Sequence, residues 1–283
     1  MWSMGGLIVR SLDTADSWTT VFWRSVTAAV FLVMVLLVRD GRAGLAAVLR
    51  MIWPGDRSAI VVAVCFSVSS IAFVVAVGLT TVANVLLIFS STPLFAALLA
   101  WLVLGERISA RTIAAIAATM VGIGILVSDS YVRGSIAGSL VALIVPLCTS
   151  TAIVTMRRHR EISMLPSMCV AAALGALIAF PFATPLAVSA RDAALLTLFG
   201  AGHLGLGMVI FIAGAPLLPA ATTALLGAIE TILGPLWVWL AFGEQPSQGA
   251  LIGGAFVLTS LAAYALSEYH WTRPPASVGG KGR

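Results

Sequence analysis

Apolar positions do not alternate with polar ones, and they do not recur three and four apart along one stripe. They run in unbroken blocks of about 20 residues, the length a helix needs to cross the hydrocarbon core of a bilayer. Nine such blocks lie between charged or Pro/Gly breaks: Trp18–Val38, Ala59–Leu79, Ala83–Leu104, Thr112–Val127, Ile136–Met156, Leu165–Val188, Ala193–Pro216, Ala221–Phe242 and Gly249–Tyr269. A tenth, Met1–Arg10, is half a span and reads as a helix cut short at its start. It lacks the basic leading segment and small-residue cleavage pattern of a signal peptide. The alternating strands of a membrane barrel are absent.

Composition agrees. Hydrophobic residues make up 60% of the 283 and charged residues 10%, with mean hydropathy +1.07. A soluble domain carries about 25% charged residues, so this chain could not cover a water-facing surface. Cys65, Cys148 and Cys169 are single and lie inside spans. They read as small apolar side chains, not as a disulfide framework or a zinc site.

The net charge of +5 could suggest nucleic acid, but its distribution suggests orientation instead. With ten spans and the N-terminus inside, one face collects Arg39, Arg42, Arg50, Arg57, Arg107, Arg111, Arg157, Arg158, Arg160, Arg273, Lys281 and Arg283. The opposite loops hold only Arg133 and Arg191. That bias is the positive-inside signal, with both termini cytoplasmic. The tail at 272–283, "TRPPASVGGKGR", reads as disordered.

Shifting the sequence by 138 positions aligns "VANVLLIFSSTPLFAALLAWLVLGERIS" (Val82–Ser109) with "AATTALLGAIETILGPLWVWLAFGEQPS" (Ala220–Ser247). Trp101/Trp239, Gly105/Gly243, Glu106/Glu244 and Ser109/Ser247 coincide, and Phe73/Phe211 extends the match. Leucine and alanine matches carry little in such a chain, whereas Trp and Glu are scarce. Five spans per half is an odd number, so the second half enters the membrane from the other side. The expected fold is an all-α polytopic membrane protein of ten transmembrane helices arranged as two inverted five-helix repeats. Residues 1–128 form the first repeat, 129–271 the second, and 272–283 the tail. Inverted repeats are a recurring architecture of secondary transporters, with the substrate site where the halves meet near the midplane.

These features resemble the EamA-type transporters of the drug/metabolite transporter superfamily. "FWRSVTAAVFL" is similar to the family's Arg-bearing second span. "STPLFAALLAWLVLGERIS" is similar to its fourth span and "ETILGPLWVWLAFGEQPS" to its ninth. "WSMGGLIVR" resembles the first span of bacterial aromatic and neutral amino-acid exporters. The resemblance implies export of amino acids such as phenylalanine, methionine or threonine, or of related small metabolites, across the bacterial inner membrane. The short Met1–Arg10 segment departs from the family pattern.

Seven residues are candidates for substrate binding. Glu230, near the centre of its span, costs about 2.5–3.5 kcal/mol to insert if charged. It bridges helices, grips a substrate amino group, or carries a coupling proton. His203 is the only histidine in a span, and is either a proton or ligand handle or a neutral bridge. Asn84, the only asparagine, starts its span and is expected to cap it. Ser91 and Thr92, with Ser90, precede Pro93 and can satisfy the carbonyl that the proline frees. Thr92 is also the repeat mate of Glu230. Arg24 either snorkels to the headgroups or pairs with Asp13, Asp16 or a substrate carboxylate. Trp237, two turns beyond Glu230, stacks on a substrate or sits in an interfacial belt.

Two readings compete with a carrier, a membrane-embedded enzyme and a passive channel. "GAGHLG" (Gly200–Gly205) matches the dinucleotide fingerprint, but inside a span and not between a strand and a helix. Its glycines, like those of "GALIG" (Gly249–Gly253), suit close helix approach. No HExxH or GxSxG occurs. Expected partners are a small-molecule substrate, the lipid bilayer and, if transport is coupled, protons. No cofactor, metal or nucleic acid is expected, and the assembly is a monomer or weak dimer.

Overall fold

The computed structural model describes residues 2–51, 56–106, 109–132, 135–159, 164–214 and 220–271, with the side chains of 220–228 and 267–271 left aside. The tail at 272–283 lies outside the described residues. The protein is all-helical, with no strand among the described residues. A 3-10 turn, Trp2–Met4, leads into α1 (Gly5–Arg10). There follow α2 (Ser17–Arg50), α3 (Arg57–Leu79), α4 (Val82–Phe89), α5 (Thr92–Leu104), α6 (Ala110–Val132), α7 (Ile136–Arg158) and α8 (Met164–Ala179). The next span is composite, with α9 (Ala190–Thr197), a π-helix (Leu198–Leu206) and α10 (Gly207–Gly214). Last come α11 (Ala220–Phe242) and α12 (Gln248–Trp271).

Among the described residues, eight helical bodies are long and apolar enough to cross a membrane, α4 and α5 counting together as one and the composite α9–α10 as another. The block Leu165–Val188 is shorter as a helix than its hydropathy suggests, because the chain turns at Phe180–Phe182 and leaves the helix there. α2 is longer than its block. It bends at Gly41, whose φ of 58° lies in the left-handed region that glycine adopts without penalty.

α4 sits at the centre. Every residue from Val82 to Ile88 is buried, in a cluster with Ile123, Leu126, Val238 and Val257. Buried on all sides, α4 meets neither water nor lipid along these residues and is walled in by other helices. The most extensive packings are α3 on α7, α6 on α12, and α2 on α8. Between membrane helices, close backbone approach replaces the hydrophobic effect as the source of contact energy. α6 and α12 show this at Gly122 and Gly253. A Cβ on Gly122 would lie 2.7 Å from the Gly253 carbonyl oxygen, and one on Gly253 would lie 2.6 Å from that of Gly122.

Candidate functional site

Arg24 lies two turns into α2 and is buried. Its Nη1 donates to the Ser70 carbonyl at 3.2 Å. Its guanidinium carbon stands 4.5 Å from the centre of the Phe199 ring and 5.8 Å from that of Phe73. A cation–π contact is worth about 2 kcal/mol when desolvated, and a hydrogen bond from a charged donor about 1.5–3 kcal/mol. Together, at about 3.5–5 kcal/mol, they offset the roughly 2.5–3.5 kcal/mol cost of placing an arginine in the membrane. The side chain therefore neither snorkels nor pairs with the aspartates beyond the helix. Asp16 instead caps α2 by accepting the Thr19 N–H at 2.7 Å, and Asp13 pairs with Arg191. The Nε of Arg24 is buried with no hydrogen-bond partner.

Phe199 is carried by the π-helix, which contains "GAGHLG". At Gly200 any side chain would collide with the Arg24 carbonyl and the Thr27 hydroxyl, so this glycine lets the π-helix lie directly on α2. π segments inside membrane helices recur at functional sites. His203, one turn on, stacks on Phe199 with ring centres 5.1 Å apart. Its Nε2 lies 2.7 Å from the Trp2 carbonyl oxygen. A carbonyl only accepts, so Nε2 carries the proton and Nδ1 is left as an acceptor. Nδ1 is buried and unpartnered. Gly5 makes room for this ring, since a Cβ there would lie 2.7 Å from Nε2.

The amino-terminal turn thus forms a wall of the site. Trp2 also packs on Phe211, with ring centres 5.3 Å apart. The other side of the turn touches α11, where Gly234 sits close to the Ser3 carbonyl and against Leu86 of α4. Glu230 is one turn before Gly234 on the same helix line. It is partly buried and makes no hydrogen bond or ion pair with a described residue. Trp237 is 39% exposed and faces outward, away from any ring contact among the described residues.

The remaining candidates are elsewhere. Asn84 is not the cap of its helix. Thr81 caps α4 by accepting the Asn84 N–H, because the chain already turns at Thr80 and Thr81. The Asn84 amide is buried inside the helix and donates to Ser130 Oγ at 2.9 Å. Ser130 in turn bonds Ser139 at 2.6 Å, so Asn84 clamps α4 to α6 and α7. At Ser90–Ser91 the fourth span breaks. Pro93 cannot donate to Phe89, and the Thr92 hydroxyl donates to that carbonyl instead. Ser91 donates to Ile88, and Ser90 to Leu87. All three hydroxyl protons are spent on the local backbone.

Three participants escaped the sequence reading: Phe73, Phe199 and the Trp2 carbonyl. Phe73 had surfaced only as a repeat match to Phe211.

The G-E motifs hold equivalent positions. Gly105 and Gly243 both have φ of 68°. Ser109 accepts the N–H of Thr112 at 3.1 Å, and Ser247 that of Ala250 at 2.9 Å. Both pairs are 138 residues apart. Glu106 pairs with Arg157 at the end of α7 at 2.8 Å. Glu244 pairs with Arg10 at the end of α1 at 2.9 Å, and it also accepts the Val82 N–H at 2.9 Å.

A crystal structure of a protein superposes on 94% of this chain and 93% of its own, with a TM-score of 0.67 and 20% identity. At that identity the likeness concerns the fold. No curated protein matches the chain in sequence. The EamA-like transporter family matches residues 1–128. That segment, which supplies Arg24, Phe73 and the amino-terminal wall of the site, is similar to the EamA-like transporters of the drug/metabolite transporter superfamily.

Proposed function

We propose that the protein is a secondary transporter that exports amino acids, aromatic or neutral ones such as phenylalanine, methionine and threonine, or related small metabolites. It does so by alternating access in the bacterial inner membrane, with both termini cytoplasmic. The observation that carries this reading is that two buried nitrogens without a partner, Arg24 Nε and His203 Nδ1, belong to side chains packed on the same Phe199 ring, with Phe73 also beside Arg24. An orphaned buried polar atom in a native structure calls for a partner. A substrate carboxylate supplies an acceptor for Arg24. Glu230, beyond the same amino-terminal turn, supplies an acceptor for an amino group. The aromatic rings suit an apolar or aromatic side chain.

Alternating access between two inverted halves is supported by the 138-residue correspondence of the two left-handed glycines and the two serine caps. It is supported further by the packing. α2 on α8 and α6 on α12 join equivalent helices of the two halves, and α3 on α8 mirrors α2 on the π-helix. Each G-E glutamate pairs with an arginine ending the first helix of the other half. Nothing in the site provides the nucleophile and base an enzyme needs, and no polar stripe suggests a channel.

Purified protein in liposomes tests the proposal. A carrier shows saturable uptake of a labelled amino acid and counterflow when the inside is preloaded. Linear, unsaturable flux points to a channel, and chemical conversion of the solute to an enzyme; either overturns the reading. Glu230→Gln separates the roles of that residue. If Glu230 carries a coupling proton, the variant loses pH-driven transport and keeps counterflow. If it grips the amino group, both fall together.

A further inference from the structure

We propose that the cleft between the start of α3, the end of α5 and the end of α7 holds one anionic phospholipid of the adjoining leaflet. Its phosphate lies on Arg57 and Arg158, and an acyl chain runs down the apolar floor below. The cleft has a volume of about 300 Å³, and it is separate from the Arg24 site.

Its chemistry is graded with depth. Arg57, Ser58 and Arg158 stand at the mouth. Both arginines are exposed, and neither makes a hydrogen bond or ion pair with a described residue. Arg157, next in sequence, is by contrast engaged by Glu106. That pair leaves Glu106 unable to neutralise the mouth. Asp56, a second nearby carboxylate among the described residues, is occupied in capping α3, where it accepts the N–H groups of Ser58 and Ala59. Two guanidiniums without a partner among the described residues and a hydroxyl thus line one cleft, a donor set suited to a phosphate.

His159 lines the cleft beside Arg158, and further along the helices come Val61, Leu99, Val103 and Val154, with Thr151 and Thr155 whose hydroxyls donate back to the α7 backbone. From Arg57 to Val61 is about 6 Å along the helix. Val61 is 43% exposed and Val103 51% exposed, so the floor continues into the lipid-facing surface. A free anion would gain nothing from that floor, and an apolar ligand nothing from the arginines. Basic pockets between membrane helices recognise anionic headgroups in this way. The proposal does not depend on what is transported.

The test uses the full chain, purified in a mild detergent and titrated with dioleoyl phosphatidylglycerol or dioleoyl phosphatidylcholine, with bound lipid counted by native mass spectrometry. One phosphatidylglycerol should be retained in preference to phosphatidylcholine. Arg57→Gln with Arg158→Gln should weaken phosphatidylglycerol about 25-fold, or about fivefold per arginine, with phosphatidylcholine unchanged. Arg57→Lys with Arg158→Lys should keep most of the preference, which leaves the idea testable if the glutamine variant folds poorly. Val103→Trp should reduce phosphatidylglycerol binding with both arginines intact. Equal retention of the two lipids overturns the proposal. So does competition by inorganic phosphate at the same concentration as the lipid, which would mark a free-anion site. A dimer lost in the glutamine variant also overturns it, because a second copy would then fill the cleft.

Discussion

At the scale of single residues, the site holds two polar groups whose removal has opposite consequences. His203 satisfies the Trp2 carbonyl. His203→Ala leaves that carbonyl buried and unpaired, and should destabilise the protein by about 1–3 kcal/mol, read as a lowered thermal midpoint in detergent. His203→Gln retains a donor and should cost less than half as much. Arg24 satisfies no buried carboxylate. An arginine buried without a counter-charge carries a desolvation cost that no ion pair relieves; Arg24→Met loses that cost along with the Ser70 bond and the ring contacts, so it should keep the thermal midpoint within a few degrees while uptake into liposomes disappears. Unchanged uptake would leave Arg24 a packing residue. Both residues could be picked out from sequence because polar residues are rare in these spans, and counting them is easy. Their partners could not. Phe199 and Phe73 are ordinary letters in an apolar run, and a backbone carbonyl has no letter at all.

At the scale of elements, the two glycines that end α5 and α11 share one backbone geometry. Gly105→Ala and Gly243→Ala should each cost about 1–2 kcal/mol, because both force a Cβ into a left-handed conformation. Equal losses in thermal midpoint would show the two ends to be energetically equivalent. Gly200→Ala tests the contact of the π-helix with α2. The added methyl must displace backbone, so transport should fall along with stability. The break before Pro93 was legible, since the missing donor and the neighbouring hydroxyls are all local chemistry. The π-helix was not, because it is fixed by the fit of Gly200 and Gly205 against α2, a relation between distant segments. The capping of α4 was misread for a smaller reason. Three polar residues, Thr80, Thr81 and Asn84, compete for one helix start, and which of them wins depends on where the chain turns.

At the scale of the whole molecule, the ion pairs Glu106–Arg157 and Glu244–Arg10 fasten α5 to α7 and α11 to α1. The first is largely exposed, with side chains 42% and 51% accessible, and the second less so, at 22% and 30%. Exposed pairs contribute about 0–1 kcal/mol, whereas Glu244 is also engaged by the Val82 N–H. Arg10→Gln should therefore perturb the balance of conformations more than Arg157→Gln. Cysteine reporters placed beside each pair and labelled from either side of the membrane would measure this. Arg10→Glu with Glu244→Arg should restore the labelling pattern. The buried guanidinium carries one more consequence. It lies seven residues past the start of α2, about 10 Å along the helix, and so stands inside the membrane's electric field. An elementary charge crossing the full field gains about 2.3 kcal/mol per 100 mV. A 5 Å shift of α2, about a sixth of a roughly 30 Å core, would couple to the field by about 0.4 kcal/mol per 100 mV. That is enough to bias two positions of α2 about twofold, so the voltage across the membrane becomes a setting of the protein itself, whatever the charge of its solute.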